Sequence, residues 1–270
     1  MELLSTLGPS SLNEKVLKKL ELLGVSLFRI NLSHTETKDL EKIIDHIRKI
    51  TQVPICIDTE GAQIRTRLKK KNFLNEGQLI KIFFNLDENI NSINFYPKES
   101  INQFKVGDLV FIDFNSVVVE VVKVEKTFIQ VVVINEGLIL SNKGVAINKP
   151  IKLSPFTQKD INSIKIAKKK KITNFALSFC NSTDDLNKLR KMVPSGSNVI
   201  AKIENRIGFS NCKEICKSAD AVLIDRGDLS KEYNIEDIPI IQKKITKIAK
   251  LEKTKIFVAT NFLESMIKNP

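Results

Sequence analysis

Residues 199–224, VIAKIENRIGFSNCKEICKSADAVLI, decide the fold of this chain. Two short apolar runs, Val199–Ile203 and Ala221–Ile224, enclose the segment Gly208–Lys217, whose apolar residues recur at helical spacing. Two strands joined by a helix form a parallel βα unit, because parallel neighbours need a crossover connection of about a dozen residues. We therefore predict a fold built from parallel βα units.

The same alternation runs through both ends of the sequence. Further strands are predicted at Leu3–Thr6, Ser26–Asn31, Val53–Asp58, Asn174–Phe179 and Ile256–Ala259. Further helices are predicted at Glu36–Ile50, Ile161–Lys170, Thr183–Met192 and Ile238–Lys250. This order predicts an α/β fold of the TIM (β/α)₈ barrel type, incomplete at the C-terminus because the sequence ends after the seventh predicted strand.

An inserted module separates the third and fourth predicted barrel strands. Its apolar residues alternate with polar ones in short runs punctuated by turn residues, which is typical of antiparallel strands. The predicted strands are Gln78–Phe84, Leu109–Asp113, Val117–Val124 and Phe128–Ile134. We expect residues 1–66 and 151–270 to form the barrel domain and residues 67–150 to form an antiparallel β-barrel-like lid domain.

Composition limits the partners and the compartment. The net charge of +12, concentrated in Lys69–Lys71 and Lys168–Lys171, would suit a nucleic-acid phosphate backbone. Neither run has interleaved aromatic residues to stack on bases, so we expect solvated faces and no nucleic-acid partner. The four cysteines form no C-x₂-C pair and no apolar run reaches about 18 residues, so we expect a cytoplasmic protein without a membrane span.

Polar residues follow the second predicted strand, at the end of a barrel strand where barrel enzymes place their chemistry. Arg29, Asn31 and Ser33 share one face because strand side chains alternate with period two. That face offers a guanidinium group for a phosphate and neutral oxygens for a cation. The alternative is a plain strand end in which Ser33 or Thr35 caps the next helix.

The third strand end carries Asp58 and Thr59, which are oxygen donors, and Arg65, which is a second candidate for anion binding. An acid and a glycine after a strand are also ordinary turn residues. At the next polar strand end, Lys202 and Glu204 share a face, and two inward charges are costly unless they pair or bind a ligand. A purely structural Lys–Glu ion pair is the alternative.

Two acids flank Arg-Gly at Asp225–Asp228, and a hydroxyl follows the last predicted strand at Thr260. Asp228 could join Glu204 as a second carboxylate on Mg²⁺, which takes one or two carboxylates together with substrate oxygens. Gly227 would let bare backbone approach a ligand carboxylate. Five strand ends with this chemistry predict a site for a phosphorylated carboxylate or a metal-chelating keto acid.

These strings, in this order, resemble those of the pyruvate kinase family. The strings that carry the resemblance are Thr6–Ser11, Arg29–His34, Asp58–Thr66, Asn142–Val145, Lys202–Asn205, Arg226–Leu229, Ala259–Thr260 and Leu263–Met266. The resemblance covers essentially the whole chain, and the string Lys-x-Glu with its neighbours is highly specific. It implies a barrel with a mobile lid, phosphoenolpyruvate or pyruvate as substrate, and ADP/ATP as co-substrate.

The resemblance also implies a role for individual residues. Glu204 and Asp228 would ligate Mg²⁺ or Mn²⁺, Lys202 would neutralise charge on the phosphoryl group and the enolate, and Arg29 would hold the phosphate. The implied K⁺ ligands are Asn31, Ser33, Asp58 and Thr59. Arg65 and Lys143 would contact nucleotide phosphates, Thr260 would lie near the protonated methylene carbon, and the backbone at Gly227 and Asp228 would receive the substrate carboxylate.

Departures from the family pattern keep other functions open. The turn that normally reads Thr-Lys-Gly-Pro-Glu reads Thr-Glu-Gly-Ala-Gln at residues 59–63, which exchanges a lysine for an acid. One alternative is a lyase or transferase that uses pyruvate enolate chemistry without ADP, and another is a degenerate paralogue that binds a metabolite. We also expect a homo-oligomer or a partner chain to cover the open barrel edge.

Overall fold

The computed structural model describes residues 2–61, 63–84, 92–113, 116–149, 151 and 153–260. The chain divides into two compact units, of which the first comprises Met1–Gly61 and Pro155–Pro270 and the second Ala62–Ser154. Each unit has its own buried hydrophobic core. No described helix combines the length and the apolar character needed to cross a membrane.

Strands and helices are numbered along the whole chain. The strands are β1 Leu3–Leu7, β2 Val25–Asn31, β3 Ile55–Asp58, β4 Ile64–Arg67, β5 Asn72–Leu74, β6 Leu79–Phe83, β7 Ile93–Tyr96, β8 Leu109–Ile112, β9 Val117–Val124, β10 Phe128–Asn135, β11 Gly137–Ile139, β12 Gly144–Ile147, β13 Asn174–Leu177, β14 Asn198–Ile203, β15 Ala221–Asp225 and β16 Lys255–Ala259. The helices are α1 Glu14–Leu22, α2 Thr37–Ile50, α3 Gln158–Lys169, α4 Thr183–Met192, α5 Arg206–Ser210, α6 Cys212–Ser218, α7 Arg226–Leu229 and α8 Ile238–Leu251.

The first unit is built on a parallel sheet with the strand order β1-β2-β3-β13-β14-β15-β16. Each neighbouring pair in this sheet is parallel, and helices connect successive strands. The edge strands are β1 and β16, and an ion pair between Lys255 Nζ and Glu2 Oε1 at 2.7 Å links residues at their N-terminal ends. The predicted α/β fold class of TIM-barrel type, with an inserted β barrel, is confirmed.

Alternating strand residues serve two separate cores, as expected for a sheet with side chains on both faces. In β2, Phe28 and Ile30 belong to the large core that includes residues of the helices, whereas Leu27 belongs to a small core on the other face. The small core consists of Leu27, Cys56, Ala176, Ile200, Ala221 and Leu223. Two positions beyond the last small-core residue of each strand the side chain is polar, so this face ends in a polar layer at the C-terminal ends of the strands, which consists of Arg29, Asp58, Ser178, Lys202 and Asp225.

The helices differ from the sequence prediction at three places, one of which is the short helix α7, which was not predicted. Helix α1 was not predicted, although Asn13 caps it by accepting the Val16 amide at 3.0 Å and Leu17 is buried. The single helix expected over Gly208–Lys217 is two helices, α5 and α6, which meet at Asn211. Gly208 packs directly against the backbone that follows β13. A Cβ at this position would lie only 2.7 Å from the carbonyl oxygen of Cys180.

The second unit contains a closed barrel with the strand order β10-β6-β7-β4-β12-β8-β9, together with a two-stranded sheet of β5 and β11. The barrel pairs are antiparallel except for β6 and β7, which are parallel, so the expectation of a purely antiparallel module is wrong at that pair. Strands β4, β5, β7, β11 and β12 were not predicted; each has only three or four residues, which gives a weak alternation signal. The expected boundary between residues 66 and 67 falls inside β4, whose partners β7 and β12 belong to the second unit.

Asp160, in the first turn of α3, ties together two segments of the first unit that adjoin the insertion. Its carboxylate accepts the amides of Glu60 at 2.7 Å and Gly61 at 3.1 Å, directly after β3. It also accepts the amide of Thr157 at 2.9 Å in a capping box at the start of α3. Asp160 is fully buried, so no solvent replaces these bonds.

We expect Asp160→Ala to lower the free energy of unfolding by about 3 kcal/mol, because it leaves three buried amides without an acceptor. Urea denaturation followed by circular dichroism measures this change. The matched control is Asp184→Ala, since Asp184 lies in the first turn of α4 with its side chain 70% exposed. Equal effects of the two substitutions would contradict the role given to Asp160.

Candidate functional site

Lys202 lies at the centre of a buried charge cluster at the C-terminal ends of the strands. Its ammonium nitrogen is 2.9 Å from Glu204 Oε1 and 3.3 Å from Asp58 Oδ2, and it donates to Ser178 Oγ at 2.9 Å. Burial lowers the pKa of Lys202, but the charges of Asp58 and Glu204 outweigh burial and raise it. Lys202 is therefore charged at neutral pH, and the Lys–Glu pair considered as an alternative is one contact of a larger cluster.

Asp58 connects the two cations of this cluster. Arg29 Nε donates to Asp58 Oδ2 at 2.8 Å, and the same oxygen faces Lys202. Asp58 Oδ1 lies 3.3 Å from the hydroxyl of Ser178. Burial lowers the pKa of Arg29, but the charges of Asp58, Asp225 and Glu204 outweigh it and raise the pKa. The cluster brings together residues of β2, β3 and β14.

The neutral oxygens predicted to hold a cation lie at the ends of two neighbouring strands. Asn31 stands opposite Asp58 in the register of β2 and β3, and its Oδ1 accepts the Ser33 amide at 2.9 Å. Thr59 is fully buried, and its Oγ1 accepts the Ser178 amide at 2.9 Å. The alternative that Ser33 or Thr35 caps the next helix is wrong, since α2 starts after Glu36 without a side-chain cap.

Three carboxylates form a second cluster next to the first. Glu204, Asp225 and Asp228 each offer one oxygen, and these oxygens lie within 4.8 Å of one another. Glu204 Oε2 accepts the Phe179 amide at 2.7 Å, and Asp228 Oδ1 pairs with Lys231. Oxygen ligands of this kind suit Mg²⁺ or Mn²⁺.

The electrostatics of the site favour an added cation. Burial raises the pKa of Glu204, and the charges of Asp228, Asp225 and Asp58 raise it further, against the opposing effect of Lys202. When ionised, the four carboxylates of Asp58, Glu204, Asp225 and Asp228 face three cations, Arg29, Lys202 and Lys231. The residues present therefore fit a hard divalent cation, which would compensate the remaining negative charge.

Gly227 and Thr260 lie beside the three-carboxylate cluster and are linked to it by hydrogen bonds. The Gly227 amide donates to Thr260 Oγ1 at 2.8 Å, and Thr260 Oγ1 lies 2.7 Å from Asp225 Oδ1. Thr260 has a positive φ of 61°, which a non-glycine residue adopts only rarely. The predicted site residues of the first unit thus lie at the ends of neighbouring strands.

Sequence reasoning gave no role to Ser178 and Asp225. Both follow from the period of two: Ser178 stands two residues beyond Ala176, and Asp225 two residues beyond Leu223, on the face of the small core. Continuing that alternation to residue 178 after β13 and to the last residue of β15 would have placed both side chains in the polar layer. The sequence analysis notes both acids of this segment but predicts only Asp228 as a metal ligand.

Arg65 and Lys143 belong to the second unit, where they lie close together. Arg65 in β4 pairs with Gly144 in β12, and its Nη1 donates to the Asn142 carbonyl at 3.0 Å. Lys143 Nζ is 2.9 Å from Asp113 Oδ2. The string Leu263–Met266, which contributed to the resemblance, lies outside the described residues, as does Ala62.

Comparisons with known proteins relate the chain to one enzyme family. A family model described as pyruvate kinase, barrel domain, matches residues 1–270. The chain is 33% identical to a pyruvate kinase of Thermotoga maritima, 30% identical to one of Aeropyrum pernix and 31% identical to one of Clostridium perfringens. Each match covers 100% of this chain and 60% of the relative, so the chain spans about three fifths of their length.

We expect Glu204→Gln to weaken Mn²⁺ binding at least about tenfold, because it removes a charged oxygen ligand. Electron paramagnetic resonance of free Mn²⁺ measures the affinity. The matched control is Glu214→Gln, which changes an exposed glutamate on α6. Wild-type affinity in the Glu204 variant would contradict the assignment.

The raised pKa of Glu204 gives the same assay a pH dependence. A proton competes with the metal for this carboxylate, so Mn²⁺ affinity should fall as the pH drops through that pKa and rise above it. Since that pKa is about 8, measurements at pH 6.5 and pH 8.5 test this direction. An affinity that is unchanged or higher at the lower pH would contradict competition between a proton and the metal at Glu204.

Proposed function

Since the chain belongs to the pyruvate kinase family, we propose that it catalyses Mg²⁺-dependent phosphoryl transfer between phosphoenolpyruvate and ADP, giving pyruvate and ATP. The observation that carries this proposal is the buried, charged Lys202 between Asp58 and Glu204, beside the three-carboxylate cluster. Phosphoryl transfer depends mainly on positioning and on neutralising charge, so it calls for fixed cations beside a metal site.

Lys202 and Arg29 are the proposed binding groups for the transferring phosphoryl group. Asp58 contacts both of them, and its charge helps to keep both cations protonated before substrate arrives. The bond from phosphorus to the enol oxygen breaks, and a bond to the β-phosphate oxygen of ADP forms. Lys202 then faces the negative enolate oxygen, and the enolate carbon takes up a proton near Thr260.

Glu204 and Asp228 are the proposed ligands of Mg²⁺ or Mn²⁺, with Asp225 within reach of the same ion. When bound, the ion supplies positive charge for the phosphate and enolate oxygens. The amides of Gly227 and Asp228 are the proposed hydrogen-bond donors to the substrate carboxylate. Arg65 and Lys143, adjacent in the second unit, are the proposed contacts to the nucleotide phosphates.

We also propose a K⁺ site formed by Asn31, Ser33, Asp58 and Thr59. The register of β2 and β3, which sets Asn31 beside Asp58, supports it. Carboxylate, amide and hydroxyl oxygens are suitable ligands for a hard cation. Because Asp58 also contacts Arg29 and Lys202, a cation here would stiffen the groups that hold the phosphoryl group.

A second candidate is enolate chemistry on pyruvate without ADP, as in a lyase or a transferase. The observation that favours it is Glu60, which stands where the family pattern has a lysine. Glu60 is buried, and its carboxylate accepts the Thr157 hydroxyl at 3.4 Å. The turn after β3 therefore presents an acid in place of a cation that could meet a nucleotide phosphate.

Phosphorus NMR of the protein with phosphoenolpyruvate, ADP, Mg²⁺ and K⁺ distinguishes the two candidates. We expect ATP signals with the wild type and a loss of about a thousandfold or more in rate for Lys202→Met, because the charge that stabilises the transition state is removed. The matched control, Lys217→Met, changes an exposed lysine on α6 and should keep the rate. A folded protein that binds phosphoenolpyruvate but forms no ATP would favour the second candidate, and aldehydes would be tested next as acceptors.

A further inference from the structure

Asp225 lies at the end of β15, is buried, and has contacts that the proposed reaction does not use. Its Oδ1 accepts the Asp228 amide at 3.2 Å and lies 2.7 Å from the Thr260 hydroxyl. Thr260 Oγ1 in turn accepts the Gly227 amide at 2.8 Å. Thr260 could also donate to the Ala259 carbonyl at 2.8 Å, but the charged oxygen is the stronger acceptor.

The groups in this network are those that the proposed function assigns to the substrate. The amides of Gly227 and Asp228 would receive the substrate carboxylate, and Thr260 would lie beside the carbon that takes a proton. Each of these groups is engaged by Asp225, either directly or through Thr260. A ligand carboxylate would need the same donors and would approach a negative charge of its own kind.

We propose that Asp225 is a specificity-determining residue whose carboxylate occupies the place of a ligand carboxylate at the Gly227–Thr260 end of the site. This inference rests on the proposed function, because it takes these amides as the carboxylate site. A carboxylate ligand binds only when Asp225 turns away from Thr260. The proposed metal ion is a partner for the displaced side chain, since one Asp225 oxygen already lies within 4.8 Å of an oxygen of Glu204 and of Asp228.

The structural alternative is that Asp225 only caps α7 by accepting the Asp228 amide. Two substitutions separate the readings. Asp225→Asn keeps an oxygen that can accept the amide but removes the charge, whereas Asp225→Ala removes both. Asn205→Ala is the matched control, because Asn205 caps the short helix α5 in the same way, through the Gly208 amide at 2.8 Å, and carries no charge.

The test is isothermal titration of oxalate into protein saturated with Mn²⁺. Oxalate carries carboxylates but no phosphoryl group, so its binding requires neither ADP nor turnover. We expect the oxalate Kd to fall about tenfold or more in Asp225→Ala, since the competing acceptor and its charge are gone, and to fall by less in Asp225→Asn. Asn205→Ala should stay within about threefold of the wild type.

The opposite outcomes overturn the inference. If Asp225 only caps the helix, Asp225→Asn binds oxalate as the wild type does and Asp225→Ala binds it no more tightly. Failure of both Asp225 variants to bind oxalate would also overturn it, and if the alanine variant does not fold, the asparagine variant decides. Tighter oxalate binding in a protein that makes no ATP would remove the proposed reaction and leave the role of Asp225 standing.

Discussion

The ammonium group of Lys202 and the two carboxylates that face it, Asp58 and Glu204, are buried together at the ends of the strands. Burying each of these charges alone would cost several kcal/mol in lost hydration. The attraction between the ammonium group and the carboxylates offsets that cost only when the groups are in contact. Lys202 lies in β14 and Glu204 directly follows that strand, whereas Asp58 ends β3, with β13 between the two strands. The cluster therefore depends on the register of three strands, and that register is held by the two hydrophobic cores.

Strand alternation links these cores to the chemistry. On the inner face the residues below the polar layer are small or medium in size, including Cys56, Ala176 and Ala221. The face towards the helices carries the larger side chains, such as Phe28 and Phe175. The small apolar core packs under the polar layer and holds its charged side chains in register. A site that is preorganised in this way is what charge-neutralising catalysis requires. Asp160 adds a second constraint by fixing the turn that follows Asp58.

Much of this arrangement could be predicted from the sequence, because it follows from the two-residue alternation along strands and from the repetition of βα units. The inward positions of Arg29, Lys202 and Glu204 follow from alternation along single strands, and the barrel class follows from repeated βα units. The contacts that join strands could not be predicted in this way. Ser178 bridges Asp58 and Lys202 across residues far apart in the chain, and Asp160 reaches back about a hundred positions to Glu60. Such pairs depend on tertiary packing, which leaves no local periodic signal.

We propose that the buried charge cluster is completed by a divalent cation held by Glu204 and Asp228, with Asp225 beside it. Anomalous diffraction from crystals grown with Mn²⁺ tests it most directly, because the scattering of manganese locates the ion independently of any activity. We predict an anomalous peak within coordination distance of a carboxylate oxygen of both Glu204 and Asp228, with Asp225 adjacent. A well-occupied peak elsewhere, or none at these carboxylates at saturating Mn²⁺, would contradict the account.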